Sequence, residues 1–171
     1  DAVLGSGSGG CHGAAVLMAR GDLPCEGRLA SDCQPLHRLS AAAIAAGGVR
    51  ILRDPTRGGV ATTLNEFVEG GPLGIELEEA AIPVDPPVAA ACDLLGLDPL
   101  YAACEGRMLV IAAPDRAEEI LTALRRTPGG EGAARIGRVS ASRPGQVVLH
   151  NAFGGSRLLT KLTGAQLPRI C

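Results

Sequence analysis

The chain has 171 residues, of which 46% are hydrophobic and 20% are charged, and its formal net charge is −2. This length and composition predict a globular domain with a sizeable core and exclude a chain that is disordered by composition. Charged residues interrupt every long apolar stretch, which argues against a membrane span. A slightly acidic chain with two Phe, one Tyr and no Trp also gives no basis for binding nucleic acid.

The six cysteines stand at positions 11, 25, 33, 92, 104 and 171. Because there is no signal peptide and no close cysteine spacing, we expect reduced thiols in a cytoplasmic protein rather than disulfides. Cys25 and Cys92 are predicted to be buried or incidental. A metal site is not predicted, because neither Cys25 with Cys33 and His37 nor Cys11 with His12 has the spacing of known metal-binding motifs.

The first half of the chain predicts a strand at residues 2–4, helices at 14–20 and 36–46, and a short buried strand at 49–52. The first strand has no residues ahead of it to cover it, so we expect a further segment or a whole domain to precede this chain. Beyond residue 52, the sequence predicts a helix at 60–68 and a helix that begins at Pro86 and ends near residue 95.

Further strands are predicted at 74–77, 82–84, 107–112, 135–141, 147–150 and 157–160, with a helix at 115–126. The alternation of strands and helices predicts an α+β fold, in which helices flank a mixed β-sheet. Residues 161–171 are expected to form an extended tail.

The last residue, Cys171, is a candidate functional residue, because a thiol at the end of a chain can move between separate sites. It is suited to carrying a chemical group, and a tail of residues 161–171 would reach about 35 Å when extended. Half of an intermolecular disulfide, or an incidental last residue, would look the same in the sequence.

Glycines at 5, 7 and 10 match the pattern G-x-G-x-x-G after a strand. A dinucleotide site requires an acidic residue about 20 residues later, and the sequence offers no clear candidate for it. Backbone N–H groups around Gly9, Gly10 and Gly13 are instead candidates for binding a phosphate ahead of a helix. A tight strand-to-helix turn remains the alternative for this loop.

Residues 53–59 read R-D-P-T-R-G-G and stand at the start of a predicted helix. Arginine binds phosphate oxygens bidentately, and a helix start adds unpaired N–H donors. Thr56 is predicted to cap the helix. The candidate phosphate-binding residues here are Arg53, Asp54, Thr56, Arg57, Gly58 and Gly59. A structural ion pair between Asp54 and Arg57 is the alternative.

Several motifs resemble one family across essentially the whole chain. They are R-D-P-T-R-G-G-V-A-T-T-L-N-E at 53–66, G-L-D-P-L-Y at 96–101, E-G at 105–106 and L-P-R-I-C at 167–171, with G-C-H-G at 10–13 and S-D-C at 31–33. The first motif is similar to the superfamily of aminoimidazole ribonucleotide synthetases and selenophosphate synthetases. The terminal P-R-I-C resembles the HypE family of hydrogenase-maturation proteins.

This resemblance implies that residues 1–160 form the C-terminal domain of a synthetase-like protein, whose N-terminal ATP-binding domain is absent from this chain. It implies a homodimer that works with a HypF-like carbamoyltransferase, which places a carbamoyl group on Cys171. ATP, with Mg²⁺, would then serve to dehydrate the thiocarbamate to a thiocyanate. The cyanide would pass to iron on a HypC-HypD-like complex during [NiFe] hydrogenase maturation.

The same resemblance suggests roles for single residues. Glu105 is the candidate base that removes protons from the carbamoyl nitrogen, and His12 is a candidate for phosphate contact or proton transfer. The structural alternative is that Glu105 pairs with Arg107 or caps a turn. Cys11 and Cys104 stand where the family usually has Asp and Asn, which argues against a polar role at position 11. Cys104 would either alter the environment of Glu105 or supply a thiol that competes for modification.

Two other functions stay open on the sequence. The chain would be a carrier or interaction module without catalysis if it worked alone. It would otherwise be an ATP-dependent synthetase or kinase that acts on a small metabolite, in which case Cys171 would have no role.

Overall fold

The fold was obtained as a computed structural model that describes residues 1–21 and 29–164. Seven strands form within these residues: β1 (Ala2–Gly5), β2 (Val49–Arg53), β3 (Gly74–Glu78), β4 (Leu109–Ala112), β5 (Ala134–Ser140), β6 (Val147–His150) and β7 (Ser156–Leu159). The α-helices are α1 (Cys11–Ala19), α2 (His37–Ala46), α3 (Gly59–Val68), α4 (Pro86–Leu95) and α5 (Ala117–Arg125). Short 3₁₀ turns lie at Glu79–Ala81 and Pro99–Tyr101.

The strands form one mixed sheet in the order β2-β4-β1-β5-β3-β6-β7. β1 lies near the middle and pairs antiparallel with both β4 and β5. The β3 and β6 strands pair in parallel, whereas the remaining pairs are antiparallel. This mixed sheet with helices against it confirms the predicted α+β class.

The sheet separates two hydrophobic clusters because alternate side chains of a strand point to opposite faces. In β1, Val3 joins the cluster beneath α3, whereas Leu4 joins the cluster beneath α2 and α5. The β4 strand alternates in the same way, with Ile111 on the first side and Val110 on the second. All four of these side chains are buried, which places β1 and β4 at the centre of the core.

A third, smaller cluster joins α1 to α4 and lies beside the loop that follows β1. Cys11 and Leu17 of α1 pack with Val88 and Cys92 of α4. Pro86 begins α4 as predicted, and Gly96 ends it with a positive φ of 64°. This cluster therefore fixes the start of α1, where the glycine-rich stretch ends.

Two predictions about strands were wrong in part. Residues 82–84 form no strand, because Pro83 lacks an N–H for a sheet ladder and its carbonyl accepts a hydrogen bond from the Gly9 N–H at 2.9 Å. The β2 strand exists but is not buried, since it pairs only with β4 at an edge of the sheet and leaves Ile51 38% exposed.

Cys25, Cys171 and the part of the predicted tail from residue 165 lie outside the described residues. Among the helices that are described, none has the length and apolar character needed to cross a membrane.

Candidate functional site

Three segments that are far apart in sequence meet around Cys104. The Gly10 N–H donates to the Cys104 Sγ at 3.1 Å, and the Cys104 N–H donates to the Pro55 carbonyl, also at 3.1 Å. Beside them, the Gly13 N–H donates to the Ala103 carbonyl at 3.1 Å. The glycine loop at 5–13, the loop at 53–59 and the segment at 102–107 therefore form one continuous site, here called the loop junction.

The glycine loop uses its backbone donors within the chain. Gly9, Gly10 and Gly13 donate their N–H groups to Pro83, Cys104 and Ala103 respectively. Gly10 has a φ of +78°, which favours glycine, and a side chain there would lie 3.0 Å from the Pro99 carbonyl. The three candidate glycines thus build the strand-to-helix turn, and their phosphate contact stays a prediction.

The loop at 53–59, here called the second loop, has an exposed front at Asp54 and Arg57 and a buried back at Gly58 and Gly59, where α3 starts. Asp54 and Arg57 are exposed, and Arg53 forms an ion pair with Glu66 of α3. Asp54 has no ion-pair partner within residues 1–21 and 29–164, so the alternative of a structural pair with Arg57 is not observed. The exposed front is therefore accessible to a ligand.

The buried back of this loop is the start of α3. The prediction that Thr56 caps this helix was wrong, because Gly58 is the cap residue, with a φ of +76°, and no side chain caps the helix. The Thr56 carbonyl instead accepts the Gly59 N–H at 3.0 Å. An uncapped helix start beside an exposed arginine fits a phosphate group, because both favour negative charge.

Glu105 lies within the loop junction, on the turn that precedes β4. Its side chain is half-buried, and its backbone N–H donates to the Asp32 Oδ1 at 3.1 Å. The Glu105 carboxylate has no hydrogen-bond or ion-pair partner in the part of the chain that the structure describes. Arg107 pairs with Asp32 rather than with Glu105, at 3.6 Å from Nε to Oδ2, so the alternative of an ion pair between Glu105 and Arg107 was wrong.

Asp32 and Gln34 are the residues of this site that the sequence did not assign. The Asp32 side chain is 1% exposed and contacts a turn more than 70 residues away. The Gln34 Nε2 donates to the Gly106 carbonyl at 2.9 Å. No local pattern predicts such contacts, and the only signal was that S-D-C at 31–33 resembles the family.

His12 stands in the first turn of α1 and is half-buried. Its Nδ1 lies 2.8 Å from the Ser31 Oγ, and the Ser31 Oγ also accepts the Cys33 N–H at 3.1 Å. Because the neighbouring Asp32 binds the Glu105 N–H, segment 31–34 connects the two proposed catalytic side chains.

The two thiols of the loop junction, Cys11 and Cys104, are buried. Burial raises the pKa of Cys104 to about 12, and burial also raises the pKa of Cys11. Cys104 is therefore a protonated, fully buried thiol, and the expectation that it competes for modification was wrong. Cys92 is buried as predicted, and burial raises its pKa to about 11.

Cys11, Cys33, Cys92 and Cys104 are all free thiols, in agreement with the prediction of reduced cysteines. Within the described ranges, no group of three or more His, Cys, Asp or Glu side chains is arranged to hold a metal ion.

Residues 1–150 match the family described as AIR synthase related protein, C-terminal domain. The chain therefore belongs to this family, and within it to the HypE group of hydrogenase-maturation proteins. The structures of T. maritima PurL (19% identity, TM-score 0.61) and of thiamine monophosphate kinase from Aquifex aeolicus (16%, 0.57) share the fold alone.

The most similar relatives include carbamoyl dehydratase HypE of Bradyrhizobium diazoefficiens, which is 49% identical over 173 residues that cover 100% of this chain and 50% of the relative. Carbamoyl dehydratase HypE of Azotobacter vinelandii is 50% identical, with the same coverage of 100% and 50%. The chain thus spans about half the length of the curated relatives it matches.

Two solved structures bear on ligands and partners. A crystal structure of HypE in complex with ATP has a TM-score of 0.92 and 46% identity, over 99% of this chain and 52% of that chain. A crystal structure of a HypE-HypF complex has a TM-score of 0.89 and 36% identity, over 94% and 52%. The fold and the family of this chain are thereby known, and its activity follows as a proposal.

Proposed function

We propose that this chain is the C-terminal domain, residues 1–160 with a carrier tail at 161–171, of an ATP-dependent carbamoyl dehydratase in [NiFe] hydrogenase maturation. The observation that carries the proposal is the identity of 49–50% over the whole chain to proteins named carbamoyl dehydratase HypE. The ATP-binding N-terminal domain that completes the enzyme is part of the proposal.

The proposed reaction removes water from a carbamoyl group on Cys171 and leaves a thiocyanate. Two protons must leave the carbamoyl nitrogen, and the carbamoyl oxygen must leave as well. Glu105 suits the task of base, because its carboxylate has no partner among the described residues and so remains available for a proton. His12, beside Ser31, is the second candidate for proton transfer or for phosphate contact.

ATP, when bound, supplies the phosphoryl group that turns the carbamoyl oxygen into a leaving group. The exposed Arg57 and the uncapped start of α3 at Gly58 and Gly59 would hold phosphate oxygens on this domain, whereas the Asp54 carboxylate, which only accepts, would face the cation that accompanies them. Arg53 and Thr56 complete the loop, and Gly9, Gly10 and Gly13 shape the wall behind it. Mg²⁺ would accompany the nucleotide.

The proposed partners follow from the same family. A HypF-like carbamoyltransferase would load Cys171, in line with the solved HypE-HypF complex. The cyanide would then pass to iron on a HypC-HypD-like complex. We propose that the enzyme is a cytoplasmic homodimer.

Hydrolysis of ATP by the intact protein tests this function. We expect the wild type to hydrolyse ATP in proportion to carbamoylated protein, and Cys171→Ala to lose this dependence completely. Cys33→Ala is the matched control, because it removes an exposed thiol near the site and should leave the rate unchanged. Carbamoyl-dependent hydrolysis that persists in Cys171→Ala would contradict the proposal.

A further inference from the structure

We propose that Asp32 is a positioning residue that holds Glu105 in place for proton transfer, an inference that rests on the proposed function. The Asp32 Oδ1 accepts the Glu105 backbone N–H at 3.1 Å, and the Asp32 side chain is 1% exposed. A carboxylate this deeply buried makes a stronger hydrogen bond than one in water, because the surrounding dielectric is low. Asp32 thus fixes the backbone that carries the proposed base.

The turn at 105–107 also rests directly on the backbone of Asp32. A Cβ on Gly106 would overlap the Asp32 carbonyl oxygen, so only glycine permits this approach. The Gln34 Nε2 donates to the Gly106 carbonyl at 2.9 Å from the same side. Segment 32–34 and the turn at 105–107 therefore form one contact surface, here called the Asp32 clamp.

Arg107 balances the charge of the clamp. Its Nε lies 3.6 Å from the Asp32 Oδ2, and its Nη1 donates to the Gly129 carbonyl at 2.9 Å. A buried carboxylate is costly without such an opposite charge. Gly7 leaves room for the guanidinium, because a Cβ there would lie 2.8 Å from the Arg107 Nη1. The glycine loop thus supports the clamp.

The clamp matters because the backbone of the turn at 105–107 sets the position of the base. The Glu105 carboxylate has no side-chain or backbone partner in the ranges 1–21 and 29–164, so its position depends on the backbone that Asp32 holds. A displacement of about 1 Å at a reacting group costs about 100-fold in rate. Loss of the Asp32 acceptor should therefore slow dehydration without weakening nucleotide binding.

The test compares Asp32→Ala, Asp32→Asn and a control variant, Glu76→Ala, in the intact protein with Cys171 already carbamoylated. Glu76 is the matched control, because its side chain is 15% exposed and pairs with Arg138 at 2.5 Å on strand β3. Two quantities are measured: the single-turnover rate of dehydration at varied ATP, and amide hydrogen exchange in the peptide that contains Glu105. The exchange measurement needs no catalysis.

We expect Asp32→Ala to lower the dehydration rate about 100-fold with an unchanged half-saturating ATP concentration. We also expect its Glu105 amide to exchange about tenfold faster or more. Asp32→Asn keeps an acceptor oxygen and should stay within about tenfold of the wild-type rate. Glu76→Ala should change neither quantity.

Equal loss in Asp32→Ala and Asp32→Asn, or unchanged exchange at Glu105 in Asp32→Ala, would overturn the inference. The same holds if Glu76→Ala slows dehydration as much as Asp32→Ala does. If the wild type dehydrates nothing, the proposed function fails, and the exchange measurement alone then decides whether Asp32 holds the turn.

Discussion

The glycine loop at 5–13 and the loop at 53–59 both lead from a strand into a helix, but they differ in composition and in what their polar groups contact. In the first loop, Gly9, Gly10 and Gly13 donate their N–H groups to backbone or thiol acceptors of the same chain. In the second, Asp54 and Arg57 are exposed. The helices that follow, α1 and α3, both start at a glycine cap residue without a side-chain cap, so the loops differ in exposure rather than in capping. The first loop joins distant segments of the chain, and the second has the exposed front at which we propose that phosphate binds.

Both loops nevertheless depend on the same short segment. The glycine loop binds Ala103 and Cys104, whereas the second loop binds Cys104 through the Pro55 carbonyl. A change at this contact should therefore affect folding, and a change at the exposed front of the second loop should affect binding alone. The following predictions test that division.

The largest expected effect is on stability at the buried back of the second loop. In Gly59→Ala, the new Cβ would lie 2.5 Å from the Leu100 carbonyl, at a φ of +61°. We expect the free energy of unfolding to fall by about 3 kcal/mol, as measured by urea unfolding of this chain. Gly70→Ala is the matched control, because Gly70 has a φ of +67° with nothing within 4 Å, and it should cost about 1 kcal/mol. An equal loss of unfolding free energy in the two variants would show that the contact with Leu100 is not tight.

The next effect concerns thiol reactivity at the loop junction. Cys104 is buried and its pKa is raised to about 12, whereas Cys33 is exposed. In native protein at neutral pH, iodoacetamide should label Cys33 at least about 100-fold faster than Cys104, as followed by peptide mass spectrometry. Unfolding in urea should remove the difference. Comparable native rates would mean that the junction opens readily.

A smaller effect is expected at the exposed front of the second loop. Arg57→Ala should weaken ATP binding to the intact protein about tenfold, since it removes a charged donor to phosphate, and calorimetry measures this affinity. Arg126→Ala is the control, because Arg126 is an exposed arginine at the end of α5. Unchanged affinity in Arg57→Ala would remove the loop from the proposed nucleotide site.

The smallest effect is a loss of stability at alkaline pH. The pKa of Cys104 lies near its ordinary value of 9.0 in the unfolded chain and is raised by burial to about 12 in the folded one, so the contribution of this thiol to stability is complete below pH 9 and is lost between pH 9 and 12. From pH 8 to 10 the wild type should lose about 1.4 kcal/mol more than Cys104→Ser, whose hydroxyl does not titrate there. Parallel pH profiles in urea unfolding would contradict the burial of this thiol.

Much of the fold could be predicted from the sequence, because the patterns that specify its helices and strands are local. Short continuous runs of apolar residues identified β1 and β4, and Pro86 marked the start of α4. The predictions were wrong where tertiary contacts, rather than local sequence patterns, determine the structure. Residues 82–84 are apolar, but the Pro83 carbonyl accepts a hydrogen bond from the glycine loop instead of joining the sheet. The apolar residues of β2 predict a buried strand, but β2 lies at the edge of the sheet.

The candidate site was predictable only in part. The sequence identified the loops and Glu105 through their resemblance to a family, and the structure brings them together at Cys104. The role of Asp32 was missed, because its contact with the Glu105 N–H joins residues 73 positions apart. Such contacts depend on the packing of the whole sheet and leave no periodic pattern in the chain.

The central claim is that Cys171 carries a carbamoyl group that becomes a thiocyanate. Mass spectrometry of the C-terminal peptide tests it directly, after incubation of the intact protein with a HypF-like carbamoyltransferase, carbamoyl phosphate and ATP. We expect a carbamoyl adduct on Cys171, followed by the loss of one water when the enzyme can hydrolyse ATP. An adduct on Cys33 or any other residue, with Cys171 unmodified, would contradict the claim.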